Sequence, residues 1–172
     1  MLPPLEVGGR RDGRHEGDGD GGVTELGGEA EAEPLHPDLV RLLAYWRGKC
    51  GARDFPCRAD IDPVDFAFML DRIALTEIHE APRRYRLRIV GSWWARLVGF
   101  ESTGMWLHDW PHANQRQLST ESYERLIAAR RPLRSRRDAW VDDRKLHYEI
   151  LHLPLSEDGQ RISMIMTAIG PE

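Results

Sequence analysis

Residues Arg84–Trp106 read RYRLRIVGSWWARLVGFESTGMW, and their pattern decides the fold. In the first part, Arg84–Gly91, apolar side chains alternate with arginines, as in a strand with one buried and one solvated face. The next part, Trp93–Val98, is too apolar to lie in water and predicts a short helix, with Ser92 as its N-cap. Gly99 then suits the left-handed residue that ends a helix.

Two further helices are predicted ahead of this segment. Pro37 and Asp38 favour the first turn of a helix, the proline by its fixed φ and the carboxylate by the helix dipole. The apolar residues of that helix recur at i, i+3, i+4 and i+7 and form one stripe: Leu39, Leu42, Leu43 and Trp46. The second helix begins after Asp62, a good N-cap, with Pro63 at its first position, and runs to Met69 or Leu70.

Five strands and one long helix complete the predicted secondary structure. The helix is expected over Ala113–Arg130. The strands are expected over Ile73–His79, Arg84–Gly91, Leu133–Val141, Lys145–Leu155 and Arg161–Ile169. Short turns join neighbouring strands, which favours an antiparallel sheet with helices on one face, an α+β fold.

Five short stretches follow one another along the chain: YW at 45–46, IDPVDF at 61–66, RYRLRIVG at 84–91, VGFESTGMWL at 98–107 and YEILHLPLSEDG at 148–159. Their order is similar to the order that PAS domains show. On these motifs, residues 35–170 resemble the small single-domain PAS-like proteins common in alphaproteobacteria. The resemblance implies a five-stranded antiparallel sheet of spatial order 2-1-5-4-3. It also implies that the central helices close over one face and enclose a small cavity.

Residues 1–34 differ in composition from the rest of the chain. They contain 9 acidic residues, 3 arginines, 9 of the 16 glycines and no aromatic residue. Such a segment buries too little apolar surface to offset the entropy of ordering, so we expect a disordered acidic tail. Since the sequence shows no leader and no long apolar run, we expect a cytoplasmic protein without a membrane segment.

The resemblance implies a ligand pocket between the sheet and the central helices. Its predicted lining is Tyr85, Leu87, Ile89, Trp93, Trp94, Leu97, Phe100, Tyr148, Ile150, Met164 and Met166. An apolar or planar small molecule would suit such a lining, since methionines adapt to irregular guests. The alternative is a dry core, and a one-residue slip in register would invert the set of inward side chains.

The apolar stripe of the first helix requires a partner surface, either the chain's own sheet or a second copy. Because the PAS-like core already supplies its own cover, we expect a homodimer through this dimer helix. Its contact residues are Leu39, Leu42, Leu43 and Trp46.

A dense group of cations follows the long helix: Arg130, Arg131, Arg134, Arg136, Arg137, Arg144 and Lys145. Arginines hold phosphates by bidentate contacts, and Arg130 with Arg134 forms the RxxxR of cyclic-dinucleotide effectors of the PilZ type. The alternatives are a surface for a protein partner and a solvated strand face. Residues 35–172 carry a net charge of only +2, which argues against DNA binding.

Catalytic and metal motifs are missing from the sequence. There is no GxSxG and no phosphate-binding GxxxxGK[ST], so we expect no enzymatic activity. His108 and His112 are separated by Pro111, which excludes the helical spacing of a HExxH metal site. Some PAS domains bind haem through a histidine beside the pocket, and His108 or His112 would be that residue here. We expect no other metal.

These patterns together predict a PAS-type sensory or interaction domain. Since the sequence contains no kinase, cyclase or DNA-binding segment, such a domain would signal in trans, by changing its contacts with an unidentified signalling protein. A small-molecule ligand would act through the pocket. A nucleotide second-messenger effector that uses the cation group is the alternative.

Overall fold

A computed structural model describes residues 24–25, 34–141 and 144–172. Three α-helices are described: α1 (Pro37–Cys50), α2 (Ser92–Val98) and α3 (Ala113–Ala129). Six strands accompany them: β1 (Thr24–Glu25), β2 (Ile73–His79), β3 (Arg84–Val90), β4 (Leu133–Val141), β5 (Arg144–Leu155) and β6 (Met164–Pro171). None of the described helices has the length and apolar character needed to cross a bilayer.

The strands form one antiparallel sheet in the order β1-β4-β5-β6-β2-β3. If β2 counts as the first core strand, the five long strands follow the order 2-1-5-4-3, which confirms the prediction. The short strand β1 adds to the outer side of β4, where Thr24 pairs with Asp138 and Glu25 with Arg137. The remainder of the segment for which disorder is expected, apart from Pro34, lies outside the described residues.

The two faces of the sheet contact different helices. On one face, called the inner face here, Tyr123 of α3 meets Thr76 and the ring of His152. On the opposite, outer face, a Cβ atom on Gly170 would lie 2.5 Å from the ring of His36, the residue before α1. Helices therefore lie on both sides of the sheet.

The prediction that α1 is a dimer helix is wrong about the stripe. Its residues are all buried inside this one chain: Leu39, Leu42, Leu43 and Trp46. The indole Nε1 of Trp46 donates to the carbonyl of Pro154 in β5 at 2.9 Å. Because α1 packs on the outer face of its own sheet, the stripe leaves no surface for a second copy.

The second predicted helix begins where expected but has tighter geometry. Asp62 Oδ1 accepts the backbone N–H of Val64 at 3.0 Å, and the segment Pro63–Arg72 is a 3₁₀ helix kinked at Phe66 and Met69. It packs beside α2. In α2 the N-cap is Gly91 rather than Ser92.

Candidate functional site

Four polar side chains form a buried cluster on the inner face. Thr76 Oγ1 and the hydroxyl of Tyr123 lie 3.1 Å apart, and His152 Nδ1 lies 3.1 Å from Thr167 Oγ1. The rings of Tyr123 and His152 meet edge to face at 5.7 Å. Burial raises the pKa of Tyr123, and hydrogen bonds to Thr76 and Thr167 oppose that shift. The cluster thus holds an uncharged phenol beside an imidazole.

Strand register explains why these side chains meet. His152 of β5 lies directly across from Thr167 of β6, and both side chains therefore face the same side. Thr76 of β2 pairs with Ile165, two residues before Thr167, so that it shares this face too. Tyr123 comes from the middle of α3, whose buried side lies over the sheet.

His152 is a neutral imidazole with one free nitrogen. Burial lowers its pKa to about 3, and the charges of Arg137 and Arg125 lower it further. Its Nε2 atom has no hydrogen-bond partner among the described side chains. A buried polar atom without a partner costs free energy, and a hydrogen bond to Nε2 would offset that cost.

Arg137 is a buried cation without a described counter-charge. Only 6% of the residue is exposed, and its Nη2 donates to Ser122 Oγ at 2.7 Å. Among the side chains that the structure describes, its Nε atom has no hydrogen-bond partner, and neither does the hydroxyl of the buried Ser135 two residues earlier. No ion pair joins Arg137 to a carboxylate of the described side chains. Burying an uncompensated charge is costly, and an anion bonded to this guanidinium would offset that cost.

Gln115 extends the set of unpaired groups along α3. It is buried, and both polar atoms of its amide lack partners in the described part of the chain. Seven residues separate Gln115 from Ser122, which is two helical turns, so both lie on the buried side of α3. Hydrogen-bond donors on the helix and on the sheet could therefore hold a small polar molecule between them.

The predicted pocket residues divide between the two faces. Four of the strand residues lie on the inner face: Tyr85, Leu87, Tyr148 and Ile150. Leu97 of α2 is buried in one cluster with Tyr148 and Ile150, and Trp93 packs on it with its ring 6.3 Å from that of Tyr148. Trp94 donates its indole N–H to the carbonyl of Arg72 at 3.0 Å, which fixes it against the 3₁₀ helix.

Three predicted pocket residues lie on the outer face instead, which corrects the prediction. Met164 and Met166 pair with Leu155 and Leu153, on the side of the sheet that α1 covers. Ile89 pairs with Leu75 beyond a β-bulge between Leu75 and Thr76, and it is 45% exposed. The bulge reverses the alternation of side chains, so Ile89 and Leu87 face opposite sides.

Phe100 packs on the loop that precedes α3. Its ring lies 5.4 Å from that of Trp110 and 5.9 Å from that of His112. His108 lies beside Trp106 and Asp109, so the two histidines have different neighbours. Within the described residues no group of three or more His, Cys, Asp or Glu side chains could hold a metal ion. Haem binding through His108 or His112 stays a prediction.

A surface groove of about 430 Å³ leads toward the polar cluster. Tyr85 and Glu124 line it, and the hydroxyl of Tyr85 donates to Glu124. The ring of Tyr85 lies 5.1 Å from that of Tyr123 at the inner end. Burial raises the pKa of Tyr85, and its bond to Glu124 raises it further. Tyr85 therefore separates solvent in the groove from the buried cluster.

The predicted anion surface of arginines does not form one exposed patch. Arg134 is buried and bound to Glu149, Arg136 is bound to Glu172, and Arg137 faces the opposite side of the sheet. Arg130 lies near Asp54, whereas Arg144 is exposed at the start of β5. Since alternate β4 residues point to opposite faces, this set cannot clasp one cyclic dinucleotide.

Sequence reasoning missed the polar residues of the inner face. Thr76, His152 and Thr167 each interrupt an apolar strand: IALTEIH, RKLHYEILHLPL and MIMTAIGP. A polar residue inside such a run must find a partner when it is buried. That interruption was the available signal, and it needed the strand register to show that the three side chains meet.

Comparison with known proteins adds the family. The model of the family described as PAS domain matches residues 35–169, from just before α1 into β6. No curated protein matches the sequence.

Proposed function

The chain belongs to the PAS domain family, and from that premise we propose a sensory domain that binds a small anionic or polar ligand. The ligand lies between the inner face and α3, and its binding changes the contacts that the domain makes with a signalling partner. No catalytic step is part of this proposal. A homodimer remains a further expectation, without α1 as its interface.

The buried Arg137 carries the proposal. An arginine held away from water without a counter-ion destabilises the folded chain, and an anion that bonds its free Nε would offset that cost. Ser135, Gln115 and the neutral His152 offer further bonding atoms on the same side. The arrangement suits a small carboxylate with a polar body more than the apolar guest expected from the sequence.

Transmission of the signal would begin at α3. This helix bonds the sheet through Ser122, which accepts from Arg137, and through Tyr123, which belongs to the polar cluster. A ligand that replaces either bond would shift α3 relative to the sheet. The surface that a partner recognises would change with it. The extent of this change depends on how much more tightly the ligand binds one arrangement of α3 and the sheet than the other.

Thermal unfolding with small carboxylates and inorganic phosphate tests the ligand class. A bound anion raises the melting temperature by mass action, with about 2.7 kcal/mol at a hundredfold excess over Kd. We expect Arg137→Met to abolish the rise and Arg136→Met, which alters the exposed neighbour, to keep it. Ser135→Ala weakens the response with little effect on folding. Equal responses in Arg137→Met and Arg136→Met would refute the proposal.

Glu25 of β1 occupies the register position across from Arg137. The same titration is therefore repeated with Glu25→Gln. An unchanged response assigns the counter-charge to the ligand. A response that is stronger or lost in Glu25→Gln makes Glu25 part of the site and contradicts the proposed role of an uncompensated Arg137.

A further inference from the structure

The two edges of the sheet are covered in different ways. At the β3 edge, the N–H of Leu87 donates to Met105 at 2.9 Å, and Gly104 donates back to Leu87. A bridge between Arg86 and Trp106 continues this contact. The loop before α3 thus caps the backbone of β3, as proteins do to keep an edge from pairing with another chain.

The β4 edge has a much shorter cover. β4 runs over Leu133–Val141, and β1 contributes two residues to its outer side, opposite Arg137 and Asp138. In the described ranges no other strand pairs with that side. An edge strand with open N–H and C=O groups is a template for an added strand.

Exposed side chains near this edge favour an acidic partner with an apolar residue. Trp140 is 62% exposed, which suits an aromatic anchor in a binding surface. The guanidinium of Arg136 is half-exposed and binds the carboxylate of Glu172, an ion pair that another carboxylate could replace. Residues 1–34, the segment of the sequence that includes Thr24 and Glu25, carry a net charge of −6.

The linker between β1 and the rest of the domain holds β1 near β4, but the pairing of β1 with β4 stays weak. Nine residues separate Glu25 from Leu35, enough to span about 30 Å when extended. The N–H of Leu35 bonds Glu149 of β5 at 2.9 Å, and β5 is the neighbour of β4. Such a tether gives an effective concentration on the order of 1 mM. A two-residue pairing at that concentration can be displaced by a longer strand.

We propose that the outer edge of β4 is a docking site for an extended acidic segment of a partner protein, and that Thr24–Glu25 covers this edge in the free chain. The partner adds a strand antiparallel to β4 and places carboxylates toward Arg136 and an apolar side chain on Trp140. This inference concerns the sheet edge and does not require the inner-face ligand.

The full chain with Thr24→Pro and Glu25→Pro tests the proposal, because proline donates no backbone hydrogen bond. The control has a proline in the same tail, Gly19→Pro. Hydrogen exchange should become about tenfold faster in β4 of the double variant and stay unchanged in β5. The second probe is a fluorescent synthetic peptide of residues 15–33, followed by anisotropy.

We expect this peptide to bind the double variant about tenfold more tightly than the wild type, because the tethered competitor is removed. Binding should weaken as salt is raised from about 0.05 to 0.3 M. A peptide with Val23→Pro and Thr24→Pro keeps every carboxylate and should not bind. Unchanged β4 exchange, or equal binding of both peptides, overturns the proposal. A double variant that dimerises without binding peptide also overturns it, in favour of a second copy.

Discussion

Glu149 accepts the backbone N–H of His36 at 2.7 Å, although one residue belongs to the middle of the sheet and the other precedes α1. The same Oε2 atom accepts the N–H of Leu35, and Oε1 accepts the guanidinium of Arg134. Burial by itself raises the pKa of Glu149, but these three donors lower it overall. A buried carboxylate therefore joins the start of α1 to the outer face.

Glu149→Gln should destabilise the domain strongly. The change keeps the shape but leaves Arg134 as a buried cation without its partner, a loss of about 3–5 kcal/mol in the free energy of unfolding. Glu172→Gln breaks the half-exposed pair with Arg136 and should cost less than about 1 kcal/mol. Urea unfolding of both variants measures the difference. Similar losses would show that Glu149 has no special structural role.

The sequence predicted the elements of the sheet better than the faces of its strands. Alternation was clear in β3, where arginines mark the solvated side. In β6, seven consecutive residues are buried because helices cover both faces, and no polar residue marks a solvated side. The bulge between β2 and β3, where Arg88 is the extra residue, adds a local change of register that no residue type indicates. The strand order followed from the resemblance to PAS domains, whereas the face on which Met164 and Met166 lie required the fold.

The pH dependence of stability should report His152. Its ordinary pKa is 6.5 and the folded value is about 3, so the unfolded chain binds one more proton between those values. The free energy of unfolding should therefore fall as the pH is lowered from about 6.5, by up to about 1.4 kcal/mol per pH unit. His152→Phe removes the titrating group, and its curve between pH 6.5 and 5 should be flatter than that of the wild type.

His108→Gln is the matched control, because the side chain of His108 is more than half exposed. Its stability curve should run parallel to that of the wild type. Denaturant unfolding at half-unit pH steps gives both curves. If His152→Phe keeps the wild-type slope, His152 is protonated in the folded domain as easily as in the unfolded chain.

Leu43 and Val40 lie on different sides of α1, Leu43 in the buried stripe and Val40 at the surface. Leu43 is buried and Val40 is 46% exposed, one turn away. Leu43→Asp should lower the free energy of unfolding by about 3–5 kcal/mol, since it buries a carboxylate in an apolar core. Val40→Asp should change it by less than about 1 kcal/mol. A folded Leu43→Asp protein with a lower native mass would restore the stripe as an interface.

The apolar stripe of an amphipathic helix indicates that one side of the helix must be buried. It does not indicate which surface will cover that side. The four residues of the α1 stripe met the period of a helix with one apolar side, a pattern shared by core helices and dimer helices. Contacts made far along the chain, such as Trp46 to Pro154, decide between them. The polar cluster on the inner face could not be predicted from the sequence either, because it joins residues from β2, β5, β6 and α3.

Gly91 and Gly48 should respond in opposite ways to alanine. A Cβ atom on Gly91 would lie 2.2 Å from the carbonyl oxygen of Asp71, which belongs to packed backbone and has little room to move. Gly91→Ala should cost roughly 3 kcal/mol and displace α2 from the 3₁₀ helix. Gly48 lies in the last turns of α1 with nothing within 4 Å of an added Cβ, so Gly48→Ala should stabilise the domain by about 0.5–1 kcal/mol. Thermal unfolding measures both. An unchanged melting temperature in Gly91→Ala would mean that the strand-to-helix junction is looser than its contacts indicate.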